Sequence, residues 1–232
     1  MKLAAMQPYF LPYVGYFQLI AAVDEWIIYD NIKYTKKGWI NRNRLLQNGK
    51  DVKFGLPLKS ASDFITIGQR ELAAEFDKRK FLNLFAEAYR RAPQFEPTFG
   101  LLEQIIHFKD RNLFGFLHHS IASLCNFLSI PTRITVSSTV PINHDLAGQD
   151  KVLAFCRHKQ ATQYINAIGG VELYSREDFR AQQVDLRFLK TRAIAYQQFD
   201  NEFVPWLSII DVLMFNPASV VKGFVLNDFE LI

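Results

Sequence analysis

The sequence predicts an α/β fold, a Rossmann-like, mostly parallel sheet with an inserted β-hairpin and helical segment. Three observations carry this expectation. Short apolar, β-compatible runs recur as KLAAM (2–6), EWIIYD (25–30), RITVSS (133–138), TQYINA (162–167) and VDLRFL (184–189). Several of them are separated by stretches with apolar residues every three or four positions, the pattern of crossover helices between parallel strands. Residues 38–130 differ in character, reading first as an antiparallel hairpin and then as helices, so they form an insertion within a single domain spanning 1–232. With 232 residues, 49% hydrophobic and 22% charged, the chain can bury a substantial core and is not disordered.

Each element has a local reason. KLAAM ends at Gln7-Pro8, which closes a short buried strand, and MQPYFLPYVGYF (6–17) follows as a stiff, proline-punctuated turn. Helical spacing runs over Tyr16–Val23, and EWIIYD completes a strand–helix–strand unit. Two β-compatible runs flank Gln47-Asn48-Gly49-Lys50, and Asn-Gly is a strong hairpin signal. FITIGQREL (64–72) adds a further expected strand. From Asp77 to Leu128 the spacing is helical, with breaks at Pro93, Pro97 and near Lys109-Asp110, and Pro131 ends the block. A helix after Gly148, a short helix capped by Ser175, and a terminal helix over 206–215 complete the pattern. Four or five parallel strands result, in an order the sequence does not reveal.

The formal charge of +4 is mild but uneven, because residues 33–53 carry seven cations against Asp51. Such a stretch is either a solvated hairpin or a field for an anionic partner. Cys125 and Cys156 lie in apolar helical patterns without C-x-x-C and read as small buried hydrophobes in a reducing compartment. The first residues are too short an apolar run for a signal peptide, and no run is long enough for a bilayer, so a cytoplasmic location is expected. His118-His119 point to different helix faces, H-E-x-x-H is absent, and no metal ligand set is expected.

Open α/β sheets bind ligands beyond the carboxyl ends of their strands. That rule singles out Gln7, Tyr9, Tyr13, Gly15 and Tyr16 after the first strand, and Asp30, Asn31, Lys33, Lys36 and Lys37 after the second. Ser137, Ser138 and Thr139 follow RITV, and Asn166, Gly169 and Gly170 follow TQYI. Asp30 suits either a turn cap or a general base. Arg42 and Arg44 share one strand face, as do Asn41 and Asn43, and two guanidiniums can fork onto phosphate or simply face solvent. Asp211 in LSIIDVLMF is a carboxylate in an apolar helix, with Ser208 on the same face. It must be paired if buried, and either an ion pair to Arg or Lys or a direct site role would satisfy it. His144 and Asp145 could reach back to Ser137, but no G-x-S-x-G elbow supports a serine hydrolase. Neither the P-loop nor G-x-G-x-x-G appears.

Taken in order, MQPYFLPYVGYFQLI, YDNIKYTKKGWINRNRLL, SSTVP, YINAIGGVELY and LSIIDVLMFN resemble the blocks of the WbqC-like protein family over essentially the whole chain. The resemblance implies a bacterial protein associated with O-antigen and other surface-polysaccharide biosynthesis, with glycine or another amino acid added to an amino sugar as a suggested role. It picks out Gln7, Pro8, Tyr9, Pro12, Gly15, Tyr16, Asp30, Lys37, Asn41, Arg42, Arg44, Ser137, Ser138, Asn166, Gly169, Gly170, Tyr174, Ser208 and Asp211. The opening is also similar to the nucleotidyltransferase-like Rossmannoid enzymes, including pantothenate synthetases. Their His-x-Gly-His is replaced here by Tyr13-Val14-Gly15-Tyr16, so the phosphate charge would fall to Lys36, Lys37, Arg42 and Arg44.

The resulting expectation is an aminoacyl- or acyltransferase acting on an amino sugar nucleotide. Asp30, Ser137 and Ser138 are its catalytic candidates. Gln7, Tyr9, Tyr13, Tyr16, Lys36, Lys37, Asn41, Arg42, Arg44, Asn166, Gly169, Gly170 and Asp211 are its substrate-binding candidates. The cofactor stays open, with ATP or an activated acyl donor as the options. The expected partner is a small anionic substrate such as a sugar nucleotide. The modest net charge does not press for nucleic acid, and a non-catalytic binder of an anionic glycan or nucleotide is the alternative.

Overall fold

The computed structural model describes all residues 1–232. Along the chain, β1 (Lys2–Met6), α1 (Val14–Ala21) and β2 (Glu25–Ile28) form the opening unit. The hairpin β3 (Arg42–Gln47) and β4 (Lys50–Gly55) comes next, then α2 (Lys78–Tyr89), α3 (Phe95–Ile106) and α4 (Leu113–Phe127). Alternation resumes with β5 (Arg133–Val136), α5 (Gly148–Lys159), β6 (Gln163–Ala167), α6 (Arg176–Ala181) and β7 (Asp185–Thr191). Two helices, α7 (Ile209–Phe215) and α8 (Ala218–Asn227), and the edge strand β8 (Phe229–Leu231) close the chain.

The six-stranded sheet has the order β5-β2-β1-β6-β7-β8, parallel except for β8. Counted among sheet members alone this is 3-2-1-4-5-6, the Rossmann order. The architecture is therefore Rossmann-like, with β3 and β4 forming a separate antiparallel hairpin. The chain builds outward from β1 to β5, then crosses back through α5 to β6. The switch point lies between β1 and β6. There the two strands pair only at Lys2–Gln163 and Leu3–Tyr164, whereas β1 and β2 pair over four positions. The crevice opens toward their carboxyl ends.

Period-2 alternation divides the sheet between two cores. Leu3, Ala5 and Ile27 pack with Val152, Phe155, Phe179 and Phe188 beneath α5 and α6. Ala4, Trp26 and Ile28 face the larger cluster, which takes in α1, the hairpin residues Leu45 and Phe54, α2 to α4, and α7 and α8. The hairpin turns through Asn48 (φ 52°) and Gly49 (φ 74°), the paired left-handed conformation a type I′ turn needs. Asp77, Asn112 and Ser175 cap their helices by accepting from Lys80 N, Gly115 N and Asp178 N. Pro97 breaks nothing, since it falls in the first turn of α3, where its missing N–H is not needed. No helix is long and apolar enough to cross a membrane.

Several expected elements differ. Residues 64–72 form a 3-10 turn (Ile67–Gln69) rather than a strand, held by a Thr66–Gln69 capping box and by Gly68 N donating to Asp30 O at 2.8 Å. The last predicted helix begins at Ile209 instead of Trp206, because Trp206 sits at φ 62° and Ser208 caps the start. Past that helix, α8 and β8 were not foreseen from the sequence.

Glu25, the first residue of β2, is buried and holds Lys159 Nζ and Thr135 Oγ1, each at 2.6 Å. Burial alone would raise its carboxyl; the two hydrogen bonds and the charges of Lys159 and Arg133 outweigh that and hold it below the usual range. The stability this supplies is present above the unfolded pKa of about 4.3 and lost as pH falls through the depressed folded value. Thermal melts across the acid range should show the advantage of the native protein over Glu25→Gln shrinking in that window. A constant gap at all pH values would contradict the assignment.

Candidate functional site

A cavity of about 710 Å³ occupies the crevice at the switch point. Its wall draws on the segments after β1 (Gln7, Tyr9, Tyr13), after β2 (Asn31, Lys33), and at and after the end of β6 (Asn166, Gly169, Gly170). The start of α5 completes it with Ala147, Gly148 and Lys151. Tyr16 also lines it, so seven of the thirteen substrate-binding candidates meet in one place.

The opening turn is built under constraint. Leu11, between Phe10 and Pro12, adopts φ 45°, a left-handed conformation that a branched side chain resists. Its carbonyl accepts from Asn43 Nδ2 at 2.8 Å and from Ser208 Oγ at 2.7 Å, and Ile209 N donates to Pro12 O at 2.8 Å. The hairpin and the start of α7 thus clamp the loop that carries the tyrosines. Tyr16 donates its hydroxyl to Gln7 O at 2.9 Å, and the Tyr9 ring sits 5.5 Å from it. Gly15 has a specific reason: a Cβ there would run into the Tyr13 ring.

The start of α5 is suited to an anion. Ala147 provides no side-chain cap, and Gly148 takes φ 51°, so the first amides of a twelve-residue helix are left uncapped at the cavity. Lys151, in the first turn, is only 5% exposed and forms no ion pair; its Nζ donates to His144 O at 3.1 Å. Burial pushes this ammonium down, and the carboxylates of Asp30 and Asp145 pull it back up. Across the crevice Asn166, 6% exposed, makes no side-chain hydrogen bond within the protein and lies over Gly170, where a Cβ would strike its amide.

A polar chain runs beside the cavity. Ser137 Oγ, fully buried, lies 2.8 Å from Asp30 Oδ1 and 2.7 Å from Asn31 Oδ1, and Ser138 N donates to Asp30 Oδ1 at 3.0 Å. Asn31 Nδ2 is 2.9 Å from His144 Nδ1, while His144 Nε2 faces Val140 O at 3.0 Å. His144 therefore does reach the Ser137 loop, through Asn31. One serine proton serves two acceptors in this arrangement. Turning the Asn31 amide over would relieve that and place its oxygen against His144 Nδ1, so amide orientation and imidazole protonation are tied together. Asp30 Oδ2 accepts no hydrogen bond. Asp30, Ser137 and Ser138 flank the cavity rather than line it.

Other candidates lie elsewhere. Lys36 pairs with Asp63 at 2.7 Å on the surface, and Lys37 is exposed. Asn41 donates to Leu56 O and accepts from Tyr34, and Arg42 Nε donates to Gly38 O. Arg44 is held by Asp51 and by Trp206 O. None of these five reaches the cavity; they organise the hairpin and its neighbours. Asp211 does not line it either, and of the two expectations for this carboxylate the ion pair to Arg or Lys is corrected. The fully buried carboxylate accepts from Tyr89, Tyr196 and Gln198 at 2.8, 2.6 and 2.7 Å, with no cation. Lys151 was overlooked because it is one of several cations in GQDKVLAFCRHKQ; the signal is its position beside Val152 and four before Phe155, on the buried face.

Fold and site together define a Rossmann-like α/β protein with a cavity at the switch point of its sheet, lined in part by Lys151, which forms no ion pair. The family model for the WbqC-like protein family matches residues 7–222, and the chain belongs to that family. Membership suggests a role in polysaccharide-associated biosynthesis. The chain is also 28% identical over 235 residues to the uncharacterised protein Rv1507c of Mycobacterium tuberculosis, covering 96% of each. No solved structure matches it.

Asp211 yields a stability test. Gln198 cannot turn over, because Val204 N donates to its Oε1 and its Nε2 donates to Val204 O. Tyr89 likewise accepts from Leu46 N and must donate onward to Asp211. An amide at 211 would then face a donor with a donor. Asp211→Asn is expected to cost about 3 kcal/mol, a fall in Tm of roughly 6–12 °C by calorimetry; an unchanged Tm would mean the carboxylate is not the hub described.

Proposed function

We propose that the protein is a cytoplasmic enzyme of bacterial surface-polysaccharide precursor biosynthesis, of O-antigen type. It transfers an aminoacyl or acyl group, such as glycyl, to the amine of an amino sugar nucleotide. The observation that carries this reading is Lys151, a buried ammonium with no carboxylate partner at the uncapped start of α5, facing a cavity of sugar-nucleotide size. A buried charge without an internal partner is costly, and an anionic ligand supplies the partner.

In this reading the phosphates sit against Lys151 and the α5 amides, and Asn166 hydrogen-bonds the sugar. Tyr9, Tyr13 and Tyr16 pack on the apolar face of sugar or base. The sugar amine attacks the activated acyl carbon, and the new C–N bond forms as the activating group leaves. The amine lies at the edge of the cavity beside Asn31, where the neighbouring Asp30, just outside the lining, takes its proton on the free Oδ2. Ser137 and Ser138 hold Asp30 in place through Oδ1. The charge once expected of Lys36, Lys37, Arg42 and Arg44 is assigned to Lys151.

The test combines a UDP titration with a single-turnover assay containing amino sugar nucleotide, glycine and ATP. Lys151→Met should weaken UDP about tenfold or more, as loss of a charge-assisted contact implies. Product and pyrophosphate should appear with the native protein. UDP affinity that ignores Lys151 would sink the assignment of the anion site. A second reading, binding without turnover, is favoured by one observation: Asp30 is already engaged by two donors on Oδ1. Asp30→Asn separates the two. Under catalysis it abolishes product while leaving UDP affinity within about twofold, a change under 0.5 kcal/mol; under pure binding the native protein yields no product either.

A further inference from the structure

A second cavity, about 300 Å³, shares Tyr13 with the first as a common wall. Its lining is apolar, including Val14, Ile194, Tyr196, Phe203, Leu207 and Val212. Two polar groups interrupt it. Thr191 Oγ1, at the end of β7, is buried and has no hydrogen-bond partner. Arg192, the next residue, is exposed, and its guanidinium makes no ion pair or hydrogen bond. Buried hydroxyls in proteins are nearly always satisfied; this one is closed off from the cavity that its residue lines, and with no hydrogen bond to break, rotation about χ1 can turn it toward a ligand atom.

Trp206 forms another part of the wall. It holds φ 62°, is 59% exposed, and packs edge-on to Tyr13 at 5.8 Å. A large aromatic kept exposed in a left-handed conformation is unfavourable on its own terms, and such strain collects at ligand clamps.

We propose that this cavity is a binding site for a small carboxylate with an apolar body, of the size of one aromatic ring or a short acyl chain. The body fills the apolar pocket beside Tyr13 and Trp206. With Thr191 turned about χ1, its Oγ1 donates to one carboxylate oxygen, and the group as a whole faces Arg192, which leaves neither polar group unpaired. The volume is at the lower end for ligand sites, which excludes a nucleotide and suits such a molecule. The proposal goes beyond the function assigned to the larger cavity and does not depend on it.

Calorimetric titration of the full chain with phenylacetate and hexanoate, against phenylacetamide and hexanamide, tests it. Both carboxylates should bind saturably, and the amides about tenfold more weakly, the factor associated with a charge-assisted hydrogen bond. Thr191→Val and Arg192→Gln should each weaken the carboxylates several-fold. Ala193→Phe, an exposed position on the lining, should abolish binding with an unchanged circular dichroism spectrum. Lys151→Met should leave phenylacetate affinity intact, so failure of the larger site and failure of this one read out separately. No saturable binding of either carboxylate, equal affinity for acid and amide, or loss of binding in Lys151→Met with retention in Thr191→Val would each overturn the proposal.

Discussion

The arrangement hangs on one buried carboxylate. Asp211 has no exposure, and removing an ionised group from water costs several kcal/mol unless donors converge on it. Burial holds its carboxyl above the ordinary range, and the donors Tyr196, Tyr89 and Gln198 oppose that without cancelling it. These three donors come from α2 and from the segment before α7, and Tyr89 is itself fixed by Leu46 N from the hairpin. The helix carrying Asp211 can therefore dock in only one way. That docking sets Ser208, three residues earlier, against Leu11 O, and Ile209 N against Pro12 O. A carboxylate remote from the cavity thus decides where the cavity's tyrosines stand.

The same logic separates the cations that organise the fold from the buried one that lines the cavity. Arg42, Arg44 and Lys36 lie where the chain doubles back on itself, and carbonyls or carboxylates of nearby segments claim them. Exposed pairs of this kind contribute little energy, because water screens them, but they do fix the hairpin. Lys151 is different. It is buried at a helix start, hydrogen-bonded only to a backbone carbonyl, with Asp30 and Asp145 near enough to act on its charge but neither in ion-pair contact, in surroundings where a charge interacts more strongly than in water. Local density of positive charge along the sequence does not mark Lys151, which lies outside the basic stretch 33–53 and is set apart by its burial.

What the sequence reveals follows from how local each cause is. The five parallel strands, the Asn-Gly hairpin, the Ser175 cap and the three helices between residues 77 and 128 depend on short-range patterns, and all are present. Of the residues that the rule on strand carboxyl ends singles out, Gln7, Tyr9, Tyr13, Asn166, Gly169 and Gly170 line one cavity, a convergence that needs no knowledge of strand order to expect. Misreadings occurred where distant groups decide. FITIGQREL has strand-like composition, yet Gly68 bonds Asp30 and the run becomes a turn. The three-residue β8 gains its register only from β7. Asp211 announces that it needs partners, but two tyrosines and a glutamine from 13 to 122 residues away are not readable as such.

Tyr13 shows how these constraints reach the chemistry. Its ring rests on Gly15, touches Trp206 edge-on, and forms part of the wall of both cavities. The loop bearing it passes through a left-handed leucine whose carbonyl is held by both Asn43 and Ser208. Strain of this sort persists only where the surroundings over-determine it. Here the surroundings are the hairpin on one side and the Asp211 helix on the other, so the hairpin, though it donates no cation to the larger cavity, helps to fix the tyrosine wall between that cavity and the smaller apolar one.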